Sequence, residues 1–99
     1  MNFEHLQQAA PQIMKIAERY GILKIYVFGS VARGDSTSQS DVDMLVEMES
    51  GASLFGMAGF NFETEGLLGV QVDVVPMSVM PLVGDREFVK KVQKEAIPL

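Results

Sequence analysis

Apolar residues recur at Leu6, Ala9, Ala10, Ile13, Ile16, Ala17 and Tyr20, the spacing of one helical face between Phe3 and Tyr20. Pro11 interrupts that face and marks either a kink or the true helix start. Gly21 suits the helix end. Ile22–Phe28 is short, rich in β-branched and aromatic residues, and apolar on both faces, so it reads as a central strand. Gly29-Ser30 breaks this strand, and Val31-Ala32-Arg33 is compatible with a short helical turn. A polar loop then runs from Gly34 to Ser40. Asp41–Glu47 reads as a second strand of mixed alternation, ended by Glu49-Ser50-Gly51. Ser53 is placed to cap a helix over Leu54–Leu68, with Gly56, Gly59 and Gly66 as its weak points and Gly69 as its stop. A third strand, Val70–Val75, closes at Pro76. Asp85 is a good N-cap for a helix to about Ala96, with Phe88, Val89, Val92 and Ala96 on one face.

The order helix, strand, loop, strand, helix, strand, helix predicts a small α/β (α+β) fold with helices packed on a mixed sheet. The length of 99 residues fits one domain over residues 1–99, with no internal repeat and no linker. An apolar fraction of 47% argues against disorder. With no cysteine, neither a disulfide framework nor a thiolate zinc site is available. No apolar run approaches a membrane span, and the N-terminus lacks the basic start and apolar stretch of a signal peptide. A cytoplasmic location and no membrane partner are therefore expected. The net charge of -5 leaves few cations for phosphate neutralisation, so a direct nucleic-acid partner is not expected. A small anionic ligand remains compatible if metal ions offset the repulsion.

Three features carry candidate chemistry. Gly29-Ser30 follows a strand directly; glycine permits close backbone approach, and free amides at a helix start attract phosphate. Ser30 and the Arg33 guanidinium add contacts of the right kind. Alone, this pattern also describes a strand-to-helix turn that binds nothing. Asp41 and Asp43 stand two apart on a strand and so project to the same side. Close like charges repel, and a divalent cation with a taste for carboxylate oxygen removes the conflict; solvated aspartates at a loop end are the plain alternative. Asp73 lies within an apolar strand, where it either faces solvent on an edge or joins the face that carries Asp41 and Asp43.

Jointly the features are more specific. Gly29-Ser30, ten residues, then Asp41-x-Asp43 resembles the G-S-x10-D-x-D signature of the DNA polymerase beta-like nucleotidyltransferase superfamily. Ala32-Arg33-Gly34, Ser40, Leu45-Val46 and Val72-Asp73-Val74-Val75 resemble its minimal (MNT) branch. The resemblance runs from Ile22 through the final helix. It implies the polymerase beta-like fold, with Gly29 and Ser30 at the triphosphate of ATP, where the Arg33 guanidinium adds a cation. It also implies two Mg2+ ions at Asp41, Asp43 and Asp73, with Asp73 activating the attacking hydroxyl. The implied reaction is transfer of a nucleoside monophosphate with release of pyrophosphate.

Acceptor-binding domains of larger family members have no counterpart here, so the acceptor is expected on another chain or on a second copy. Minimal members resemble antitoxins paired with a HEPN-domain ribonuclease toxin, to whose tyrosine hydroxyl they transfer AMP. That pairing makes the partner a protein, within a homo- or hetero-oligomer. Phe55, Met57, Phe60 and Phe62 are candidates for a partner surface or for core. The alternatives are a nucleotide-binding antitoxin that neutralises its partner by stoichiometric complex formation, and transfer to a small molecule in a partner-built pocket. His5 reads as a surface residue, and Glu63, Glu65, Lys90, Lys91 and Lys94 as solvated helix faces.

Overall fold

The computed structural model describes residues 1–99. Helix α1 spans Phe3–Arg19 and opens on Asn2, whose side chain accepts the His5 N–H. Pro11 lies inside α1 and does not start it. Strand β1 is Ile22–Phe28, and the short helix α2 covers Gly29–Arg33, so Gly29-Ser30 begins the helix instead of forming a separate break. Strand β2 runs Val42–Met48, α3 Leu54–Leu68 and β3 Val72–Pro76. Both α3 and α4 (Arg86–Glu95) carry the expected caps, Ser53 accepting from Gly56 and Asp85 from Phe88. Three outcomes differ from the pattern reading. Asp41 precedes β2, the third strand starts two residues late, and a 3-10 helix (Met77–Leu82) and a two-residue strand β4 (Ile97–Pro98) are additional.

The sheet order is β3-β2-β1-β4, with β1 antiparallel to both β2 and β4, and β2 parallel to β3. β1 is therefore central, as its two apolar faces require, and β3 is an edge. Alternation splits the side chains between two cores. Val42, Met44 and Val46 join Val27, Ile25 and Val72 beneath α1 and α3, around Leu6, Ile13, Ala17 and Phe60. On the opposite face Phe28 and Leu45 meet Val92 of α4. A register irregularity between Ile22 and Lys24 returns Ile22 to the first core, which strict alternation from Ile25 would forbid.

Two predicted solvent-facing acids instead tie α3 down. Glu63 accepts from Arg19 at 2.8 Å and from the Tyr20 hydroxyl, while Glu65 accepts the Val72 N–H at 2.8 Å. Asn61 donates to the Val72 carbonyl, so α3 caps both backbone groups at the start of the edge strand. A Cβ at Gly59 would crowd the Tyr20 ring and one at Gly56 would press on the Tyr20 carbonyl, so these glycines permit close packing against the end of α1.

Of the four α3 residues considered for core or surface, Phe60 is fully buried and Phe62 is 78% exposed. Phe60→Ala is expected to lower unfolding free energy by about 3–5 kcal/mol, whereas Phe62→Ala stays within roughly 0.5 kcal/mol of wild type. Urea unfolding of the two variants checks the contrast.

Candidate active site

The chemistry-bearing residues meet where β1 and β2 leave the second core. Asp43 pairs across the antiparallel ladder with Phe28, the residue that hands the chain to α2. On its other side, the parallel ladder sets Asp43 directly opposite Asp73. Asp41, exposed just ahead of β2, lines the same cavity as Asp43. Asp73 is exposed on the edge strand, in register with Asp43.

Gly29 adopts φ +78°, and a Cβ there would overlap an Oδ2 of Asp43. Only glycine lets the backbone pass this close to the carboxylate. No side chain caps α2 from its N-cap residue, Phe28. The Gly29 N–H instead donates to Glu95 at 3.3 Å, and Arg33 donates to Glu95 at 3.1 and 3.2 Å and to Asp35 at 3.1 Å.

Gly29, Ser30, Arg33, Asp41 and Asp43 line one cavity of about 430 Å³ with Phe28, Ser40, Phe88, Lys91, Val92 and Glu95. Asp73 is not part of this lining; it faces an open groove along β3 with Asn61, Glu65 and Gln71, whose amide donates to it at 3.2 Å. The α4 wall was not legible as such. Lys91, read as a solvated face, is exposed but borders the cavity and forms no ion pair. Phe88 packs edge-on to Phe28, with ring centroids 6.2 Å apart. The helical stripe Phe88–Val92 pointed to an apolar contact, but nothing in it named the strand that would receive it.

Burial pushes the Asp43 carboxyl above its ordinary range, the charges of Asp73 and Asp41 push it the same way, and Arg33 opposes them weakly. No three acidic or imidazole side chains are gathered tightly enough to hold a metal by themselves. Asp41 and Asp43 nevertheless line the cavity together, and carboxylate oxygens are the donors that hard divalent cations take.

Comparison with known proteins fits this arrangement. The Nucleotidyltransferase domain family model matches residues 11–99, and the chain belongs to that family. It is 36% identical over 87 residues to MJ0435 of Methanocaldococcus jannaschii, provisionally named a protein adenylyltransferase, covering 87% of this chain and 90% of that one. It is 42% identical over 64 residues to protein adenylyltransferase MntA of Thermococcus cleftensis, covering 65% of each chain. A solved structure provisionally described as a minimal nucleotidyltransferase superposes with TM-score 0.79 at 38% identity, over 100% of this chain and 97% of that one. The MNT antitoxin structure in complex with tri-AMPylated HEPN toxin of Shewanella oneidensis shares the fold, with TM-score 0.64 at 17% identity over 93% of this chain and 69% of that one. The protein is a nucleotidyltransferase of the minimal type, an enzyme with a small mixed-sheet α/β fold. No helix is long and apolar enough to cross a membrane.

Because the folded protein holds the Asp43 proton more tightly than the unfolded chain, ionised Asp43 costs stability. The cost is complete above the raised folded pKa and disappears as pH falls through the ordinary carboxylate range. In the metal-free protein at pH 8, Asp43→Asn is expected to raise Tm. The difference should vanish near pH 3. Thermal melts of both proteins across that range provide the check.

Proposed function

We propose that this chain is a metal-dependent protein adenylyltransferase antitoxin, which moves AMP from ATP to a tyrosine hydroxyl of a HEPN-type ribonuclease toxin. The observation that carries the reading is the cavity in which Asp41 and Asp43 face Gly29, Ser30 and Arg33, with Asp73 in register with Asp43 on the neighbouring edge strand. The names of the two relatives support the transfer of AMP to protein, and the fold of the toxin-bound MNT antitoxin supports the choice of partner.

In this reading the Gly29 N–H and the Ser30 hydroxyl donate to the triphosphate, with Arg33 and Lys91 as cations along the same wall. Asp41 and Asp43 would hold magnesium, with Asp73 as the third carboxylate of a two-ion site. When bound, the metal offsets the charge of the triphosphate and of the departing pyrophosphate. Asp73 takes the proton of the incoming hydroxyl as its oxygen bonds to the α-phosphorus. The bond from that phosphorus to the bridging oxygen breaks, and pyrophosphate leaves. Exposure suits Asp73 to this part, since the acceptor must arrive from outside the chain. Positioning and charge neutralisation supply most of the rate.

The test mixes the protein, magnesium, ATP labelled at the α-phosphate and a HEPN-type ribonuclease toxin. Wild type is expected to label the partner, while Asp41→Asn and Asp43→Asn reduce the rate by roughly 100-fold or more. Absence of label from wild type would overturn the reading. If both variants still silence the toxin as well as wild type does, a stoichiometric antitoxin replaces it.

A further inference from the structure

We infer that Glu95 is a built-in competitor for the phosphate cradle, an internal carboxylate that ATP must displace before it can bind. The inference rests on the proposed triphosphate role of Gly29 and Arg33. Glu95 is the last residue of α4, and its side chain is only 14% exposed. Its two oxygens take the Gly29 N–H at 3.3 Å and Arg33 Nη1 at 3.1 and 3.2 Å. These donors are the ones a phosphate oxygen would use, because a carboxylate and a phosphate present the same kind of charged acceptor.

Two of the cradle's donor groups are therefore occupied at rest. With Glu95 on Nη1 and Asp35 on Nε, two carboxylates already engage Arg33. The Gly29 amide donates to no other acceptor. Glu95, Asp41 and Asp43 line the cavity together, so an arriving triphosphate meets three negative charges against Arg33 and Lys91. Swinging Glu95 out of the cavity removes one charge and frees both donors at once.

The segment after Glu95 is lightly held. Glu95 is followed by Ala96 and by β4, whose hold on β1 is two residue pairs and the bond from Leu99 N–H to the Ile25 carbonyl. A rotamer change, or a small shift of the last turn of α4, is enough to release the carboxylate. An occupied cradle lowers apparent affinity by the fraction of molecules in which it is free. Removing the occupant should therefore tighten nucleotide binding, the opposite of what loss of a binding residue would do.

The experiment titrates wild type, Glu95→Gln and Glu95→Ala with the magnesium complex of a non-hydrolysable ATP analogue, by calorimetry. Both variants are expected to bind roughly three- to tenfold more tightly than wild type. The Gly29 amide proton resonance of the unliganded protein should also shift in Glu95→Gln, a readout that needs no nucleotide. Unchanged or weaker binding in both variants, with wild type binding measurably, overturns the inference and leaves the proposed function standing. An unmoved Gly29 resonance overturns it too. If wild type binds no nucleotide in magnesium, the proposed function fails and takes this inference with it.

Discussion

The pleat of β2 is the constraint on which the rest depends. Its even positions, Val42, Met44 and Val46, are buried in the larger core, and its odd positions give Asp43 and Leu45 to the other face. A slip of one residue would exchange the two sets, driving carboxylates under α1 and α3 and exposing the valines. Burial of the even positions thus fixes where Asp43 points, and the ladders transmit that choice in both directions. Toward β1 it sets Asp43 opposite Phe28 and beside the left-handed Gly29; toward β3 it sets Asp43 opposite Asp73. The hydrophobic effect, which has no interest in catalysis, aligns the carboxylates.

That alignment is expensive for the protein on its own. Partial burial and neighbouring aspartates work against the ionised Asp43, and nothing in the chain except a weakly felt Arg33 answers them. Arg33 is itself held by Asp35 and Glu95. The cavity thus combines surplus negative charge at one wall with an arginine already paired and a lysine without a partner at the other. Such strain between function and stability is usual where ligands complete the charge balance.

Much of this was legible in the sequence because it is local. Caps at Ser53 and Asp85, the stop at Gly69, the apolar strand Ile22–Phe28 and the period of two at Asp41-x-Asp43 all depend on neighbours a few residues away. What escaped depends on distant partners. Glu63 and Glu65 look like solvent-facing acids until Arg19, Tyr20 and the Val72 amide come to meet them. Gly56 and Gly59 look like flaws in a helix until the end of α1 packs against them. β4 is two residues long and has no pattern of its own; it exists because β1 offers an open edge. Lys91 and Glu95 became cavity residues only when α4 settled beside α2, which no periodicity announces.

The central claim is that the carboxylate face and the phosphate cradle form one site, each incomplete without the ligand of the other. Thermal melts of the wild-type protein with magnesium alone, a non-hydrolysable ATP analogue alone in excess chelator, and both together test it most directly. The account predicts that the two together raise Tm well beyond the sum of the separate shifts, because each ligand relieves charge that opposes the other. An equal rise from the nucleotide with and without magnesium would contradict it.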